Sequence, residues 1–341
     1  MAASQNAMSP GEVVRALADP AAPERFSVLT GEAILRIDLA GAEGGRAREH
    51  AARAAERLAE LPALSIAFGA AESPSAFALA AAADVRLSED DAGELAAIEE
   101  SVAKAPLASL GLVQLLRASE KRTIYEGLVA ESLVYSTLQS GPEFAACLGS
   151  HVRKPRDATR EPAVLVAREG AQLSLRLNRP EKRNAFSAEM RDALCEALRL
   201  ALSDPEIARI ELSGAGAAFC SGGDLDEFGT LPDPATAHAI RSTRNAALLL
   251  SQSAARVTAR VHGACVGAGA ELPAFCRRVV AREDARFVLP ELGMGLVPGA
   301  GGSVSLPRRI GRQRAAQLAL TRRPLGAERA LAWGLIDEIA R

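Results

Sequence analysis

The chain has 341 residues, 48% of them apolar, which is enough for two ordinary domains or for one domain with a large embellishment. Its 40 basic and 42 acidic side chains leave a formal charge of −2, so no global field draws it to nucleic acid or to a charged membrane. No apolar run reaches the roughly 18 residues that a membrane helix requires, and Met1 to Asn6 lack the basic, apolar and small pattern of a signal peptide, so a soluble protein is expected.

Residues 1–25, rich in Ala, Pro, Ser and Glu without a sustained apolar period, read as an N-terminal arm or capping segment. Alternation from Ile34 to Leu39, helical spacing from Ala47 to Leu61 and strand character from Leu64 to Phe68 predict a strand, helix, strand unit. Ala92 to Ala118 and Arg122 to Cys147 read as long helices, the second with Leu128, Leu133, Val134, Leu138 and Phe144 on one side. Residues 151–162 crowd Arg, Lys and Pro together and read as a linker between a region 26–150 and a region 163–341.

Beyond the linker, Val164 to Val166 and Leu173 to Leu177 read as strands paired across a Glu169-Gly170 turn, Ala188 to Ser203 as a helix and Ile207 to Ser213 as a strand. Arg256 to His262 reads as a strand that leads into the Gly267-Ala268-Gly269-Ala270 turn and a helix from Glu271. Short strands follow at Val279 to Ala281 and Phe287 to Val288. Alternating β and α elements with glycine turns predict an α/β fold, a parallel sheet covered by helices.

The order also hints at a repeat. Leu35 to Leu39 resembles Leu173 to Leu177, and Leu87 to Ala92 resembles Val280 to Ala285, with a shorter interval in the first half. The first half is then either a decayed copy that has lost the segments bearing chemistry, or a chance likeness of short α/β pieces.

The five cysteines, Cys147, Cys195, Cys220, Cys265 and Cys276, include no Cys-x-x-Cys pair, and their odd number fits reduced thiols and a cytoplasmic location. His50, His151, His238 and His262 are scattered without helical i,i+4 pairing, so no metal site is expected.

Chemistry concentrates in the second half. Glu271 and Glu291 each stand behind a Gly- or Pro-bearing turn, downstream of a Phe219-Cys220-Ser221-Gly222-Gly223-Asp224 loop. Without side chains, Gly222 and Gly223 let a ligand carbonyl approach the main chain, where the Gly223 N–H can meet it. The Gly267-Ala268-Gly269 turn offers a second donor site at a helix start, and Val297-Pro298-Gly299-Ala300-Gly301-Gly302 adds a rigid loop past Glu291. Each glycine turn alone is also an ordinary turn. Together, two carboxylates and two N–H donors form a kit for proton transfer at the carbon next to a thioester, where enolate charge needs a resting place. Asp224 suits bracing of its own loop by accepting main-chain N–H groups.

From about Val164 to Ile339 the chain resembles the crotonase (enoyl-CoA hydratase/isomerase) superfamily. The resembling strings are Asn178 to Phe186, Phe219 to Asp224, His262 to Leu272, Phe287 to Glu291, Val297 to Gly302 and Ala330 to Asp337. The resemblance implies a crotonase-like ββα superhelix with its catalytic core in residues 163–341. It implies an oxyanion hole from the N–H groups of Gly223 and Ala268, with Ala268 standing where a glycine is often found. It implies Glu271 and Glu291 as the catalytic pair, and Lys182, Arg183, Asn184 and Ala185 with Ser221, Gly222 and Asp224 as substrate-binding residues along a coenzyme A channel. Lys182 and Arg183 read equally well as a solvated charged face. The activity implied is syn hydration of a 2-enoyl-CoA without a cofactor, with a double-bond isomerase or a non-catalytic scaffold as alternatives. The assembly implied is a homotrimer or hexamer. Family members carry further helices after the Gly334-Leu335-Ile336-Asp337 string, and here Lys104 to Leu116 and Glu126 to Phe144 resemble those terminal helices. Residues 26–150 would thus be a degenerate crotonase-like region that completes the fold.

Overall fold

The computed structural model describes residues 7–43, 47–88, 91, 93–150 and 161–340. In chain order the first elements are α1 (Pro10–Ala18), α2 (Ala22–Arg25), β1 (Ile34–Asp38), α3 (Ala47–Glu60), β2 (Leu64–Phe68), α4 (Pro74–Ala82), β3 (Val85–Leu87), α5 (Glu94–Lys104), α6 (Pro106–Arg117), α7 (Ile124–Gln139) and α8 (Pro142–Ser150). Then come β4 (Val164–Glu169), β5 (Gln172–Leu177), α9 (Ala188–Ser203), β6 (Arg209–Gly214), α10 (Pro234–Thr243), α11 (Ala246–Ser253), β7 (Val257–Val261), β8 (Ala264–Val266), α12 (Ala268–Glu271), β9 (Arg278–Arg282) and β10 (Arg286–Val288). The last are α13 (Gly302–Ile310), α14 (Arg312–Thr321), β11 (Leu325–Gly326), α15 (Ala327–Trp333) and β12 (Glu338–Ala340).

These elements form two compact units, Met1–Ala118 with Arg312–Thr321, and Ser119–Gly311 with Arg322–Arg341. The expected division at residues 151–162 is not where the units part, and residues 151–160 of that linker lie outside the described residues. The helices α7 and α8 therefore belong with the second unit.

In the first unit β1, β2 and β3 form a parallel sheet. The segment expected as an arm or cap carries α1 and α2. Ser9 caps α1 and Glu12 returns the bond in a capping box, while Val13, Val14 and Leu17, spaced along one face, are buried in the core of this unit. The expected continuous helix over 92–118 is broken at Pro106, which has no N–H to donate and so begins α6. Arg117 at the end of α6 grips Asp84 through Nε (2.8 Å) and Nη2 (2.7 Å) and donates to the carbonyls of Leu61 and Ala63 (both 2.7 Å). Asp84 also accepts from the N and Oγ of Ser65 (both 2.9 Å), so both charges are buried and fully bonded. From far along the chain, α14 joins this unit against α5, α6 and β3, with Gln317 donating to Glu94 at 2.6 Å.

The second unit is built on a sheet ordered β12-β9-β7-β6-β5-β4. The β4–β5 hairpin is antiparallel and every other pairing is parallel, as the alternation of elements predicts. A smaller sheet, β11-β10-β8, leads through β8 into the Gly267 turn. On α7 the stripe that faces inward is Leu128, Glu131, Tyr135 and Leu138, at i, i+3, i+7 and i+10. Leu133, expected on the buried side, is 50% exposed. The helix expected from Glu271 is a single turn that ends with it, because Pro273 stops the α-helical bonding and a 3₁₀ turn follows.

Candidate active site

Three extended segments converge in the second unit. Phe186 N donates to Gly222 O at 2.7 Å, Ser221 N to Arg183 O at 3.0 Å, Cys220 N to Ala264 O at 3.1 Å and Val266 N to Cys220 O at 2.9 Å. Cys220 thus pairs with Cys265 in a parallel bridge, and Gly223 and Ala268 each follow three residues after their paired cysteine. Both line one cavity of about 480 Å³. Among the described residues, neither the Gly223 nor the Ala268 amide donates a hydrogen bond within the protein.

Glu271 and Glu291 line the same cavity and are 2% and 8% exposed. Glu271 Oε2 accepts from Ala300 N (2.7 Å) and Gly302 N (2.8 Å). Glu291 Oε2 is buried and has no hydrogen-bond partner. The other Glu291 oxygen lies against the Gly267 turn, where a Cβ would sit 2.5 Å from Oε1. Gly267 also takes φ +48°, so only glycine fits there without displacing the carboxylate. Burial pushes both acids above the ordinary carboxylate value of 4.5. Glu291 rises to about 8, and Glu271 rises well above 4.5, helped by the neighbouring charges of Glu291 and Glu131 and opposed by its two amide donors.

Three groups of the site were not singled out from sequence. Glu131 on α7 is 2% exposed and accepts from Gly301 N (2.7 Å), Ser303 N (2.8 Å) and Ser303 Oγ (2.7 Å), and burial lifts its carboxyl to about 7. Tyr135, one turn on, packs its ring on Gly299, where a Cβ would meet Cε2 at 2.5 Å, and burial raises its hydroxyl pKa. Arg241 of α10 stacks 4.8 Å over the Tyr135 ring and donates to Ser132 Oγ at 2.9 Å. Glu131 and Tyr135 share the inward stripe of α7 with Leu128 and Leu138, and that spacing alone does not separate them from solvated polar positions.

The expected substrate-binding residues divide. Ser221, Gly222 and Asp224 line the cavity, whereas Lys182, Arg183, Asn184 and Ala185 do not. Asn184 has a structural part of its own. It is fully buried, with Oδ1 accepting from Arg179 N (2.8 Å) and Nδ2 donating to Ala215 O (2.8 Å) and Ala218 O (2.9 Å), so its side-chain amide holds the loops together. Asp224 accepts from Asp226 N at 3.1 Å and pairs with Lys182 at 3.2 Å, which is the bracing part its sequence suggests. Arg183 is exposed and has no carboxylate within 4 Å among the described residues.

The family model described as enoyl-CoA hydratase/isomerase matches residues 168–341. The chain is 37% identical over 175 residues to the 1,2-epoxyphenylacetyl-CoA isomerase of Escherichia coli, covering 50% of this chain and 67% of that one. It is 35% identical over 176 residues to the 2,3-dehydroadipyl-CoA hydratase of the same organism, covering 52% and 68%. With the mitochondrial enoyl-CoA hydratase of Pongo abelii it shares 34% over 167 residues, covering 48% and 56%. Among solved structures, an enoyl-CoA hydratase from Mycobacterium smegmatis superposes with a TM-score of 0.50 at 34% identity, over 53% of this chain and 70% of that one. The crotonase-like α/β fold expected for the C-terminal half is borne out by this likeness, and the matched stretch begins after α7 and α8.

Proposed function

The chain belongs to the enoyl-CoA hydratase/isomerase family, and from that premise we propose that it adds water across the double bond of a 2-enoyl-CoA thioester without a cofactor. The observation that carries the reading is a single cavity lined by two buried glutamates and by two residues, Gly223 and Ala268, whose amides have no acceptor of their own. A thioester oxygen between those amides would gain negative charge as the β-carbon is attacked, and each donor of this kind is worth about 3 kcal/mol in the transition state.

Two acids buried together share protons rather than ionise together. The amides of Ala300 and Gly302 favour an ionised Glu271, while the unpartnered Oε2 of Glu291 favours a carboxylic acid there. Glu271 then takes a proton from water as its oxygen bonds to the β-carbon, and Glu291 delivers its proton to the α-carbon. Water's two parts enter from one face, so addition is syn. Glu271→Gln should lower hydration of a short enoyl-CoA by roughly 10²–10⁴-fold, and turnover at the parent rate would sink the assignment.

A second reading is favoured by one feature. Glu291 has a free oxygen while Glu271 is tied to two amides, which suits an isomerase in which Glu291 alone carries a proton between two carbons. Glu271→Gln would then retain double-bond migration, and analysis of the products separates the two. The homotrimer or hexamer and the cytoplasmic location belong to the same proposal, and sedimentation of the purified chain tests the assembly.

A further inference from the structure

Four consecutive main-chain N–H groups, from Ala300 to Ser303, alternate between two acids. Ala300 and Gly302 donate to Glu271, at 2.7 and 2.8 Å, and Gly301 and Ser303 donate to Glu131, at 2.7 and 2.8 Å. We propose that Glu131 is a positioning residue for the reaction, holding the Ala300–Ser303 backbone in the one rotation that aims its alternate amides at the catalytic carboxylate of Glu271. The inference rests on the hydratase reading for its kinetic consequences and on geometry for the rest.

Along this stretch, successive amides point to opposite sides. To place two of them on Glu271, the chain must send the intervening pair the other way, into a buried region where an N–H without an acceptor carries a large desolvation cost. Glu131 is that acceptor, with each oxygen engaged and Ser303 Oγ adding a third bond at 2.7 Å. A carboxylate accepts at both oxygens, whereas a glutamine must turn its own N–H₂ toward one of the donors. Glu131 also sits among charges that matter to the chemistry. Glu271 and Glu291 line the same cavity and feel its charge, Arg241 lies close enough to lower its pKa, and Tyr135 is one turn along its own helix. Removing its charge therefore changes the protonation of the pair as well as the aim of the loop.

The test uses the full chain with Glu131→Gln, Glu131→Asp and Ser303→Ala, assayed on a short 2-enoyl-CoA across pH, with backbone hydrogen exchange read at residues 300–303. Glu131→Gln is expected to lower kcat by about tenfold or more while KM changes by less than about threefold, since misaimed catalytic groups cost turnover more than binding. Its acidic limb should move to lower pH, and the Ala300 and Gly302 amides should exchange faster. Glu131→Asp, which keeps the charge, should recover part of kcat, and Ser303→Ala should shift all three readouts in the same direction but less. Parental kcat, pH profile and exchange in Glu131→Gln would overturn the proposal. If that variant does not fold, unchanged exchange and pH profile in Ser303→Ala overturn it instead. If the parent protein turns over no enoyl-CoA, the hydratase reading fails while the exchange at Ala300 and Gly302 still decides the part of Glu131.

Discussion

Glu131 and Glu271 hold alternate amides of the same four residues, at the N-terminus of α13, although one acid comes from a helix well upstream of the family-matched segment and the other from the turn after β8. The start of that helix carries the positive end of its dipole, so both carboxylates sit where main-chain partial charge favours them. With Glu291 they make three buried acids around one cavity.

That cluster sets a pH dependence of stability. Burial raises Glu131 from 4.5 to about 7 and Glu291 to about 8, and lifts Glu271 well above 4.5. Between the unfolded and folded values the native state holds protons that the unfolded chain has released. The contribution of these three acids to stability is therefore fully present at and below about 4.5 and is lost as pH rises through about 7 to 8. Thermal melts of the ligand-free protein at a series of pH values should show Tm declining over this range, less steeply in Glu291→Gln. A Tm that climbs from pH 5 to 8 contradicts the assignment of these acids.

Gly267 and Gly170 form a matched pair. Both take positive φ, +48° and +57°, but a Cβ at 267 meets Glu291 Oε1 at 2.5 Å while one at 170 meets nothing within 4 Å. Alanine at either position carries a left-handed backbone cost of roughly 1–2 kcal/mol. Only Gly267→Ala should also displace Glu291 and depress kcat, and equal activity in the two variants would refute the close approach.

Arg183 is the basic residue of its loop with charge to offer, since Lys182 is held by Asp224 and Asp226 at 3.2 and 3.7 Å. Arg183→Ala is expected to raise KM for a CoA thioester several-fold with kcat unchanged, and the effect should shrink as salt screens the phosphates. An identical KM at low salt removes Arg183 from substrate binding.

In the first unit, Arg117→Met would leave Asp84 buried without its counter-ion and the Leu61 and Ala63 carbonyls without their donor. Losses of about 3–5 kcal/mol are typical when one partner of a buried pair is removed. Urea unfolding followed by circular dichroism measures this, and pairing the change with Asp84→Asn should recover part of it. A midpoint that does not move would show that the pair contributes nothing.

The second-half elements were legible because glycine turns and strand alternation are local signals. Ala188 to Ser203 was read from spacing alone and is α9 to the residue. Glu271 and Glu291 stood out because each follows a marked turn. Glu131 did not, because its meaning depends on Ser303 and Gly301, far along the chain, and a glutamate in an amphipathic helix looks like solvated surface until its partners are known. The structural part of Asn184 was hidden for a similar reason. Its family string is real, but a buried amide with three main-chain partners answers to the loops around it. Pro273 was readable in sequence as a helix breaker, and it shortens α12 to one turn.

The placement of α14 has a practical outcome for anyone cutting this polypeptide. Residues 312–321 pack with α5, α6 and β3, and Ala315, Ala316, Leu318, Ala319 and Leu320 are sealed from water there. A fragment trimmed to the family-matched stretch would carry that oily helix with nothing to cover it, and expression of such a piece should give aggregates. The chain threads its units together in a way that no single scission can separate.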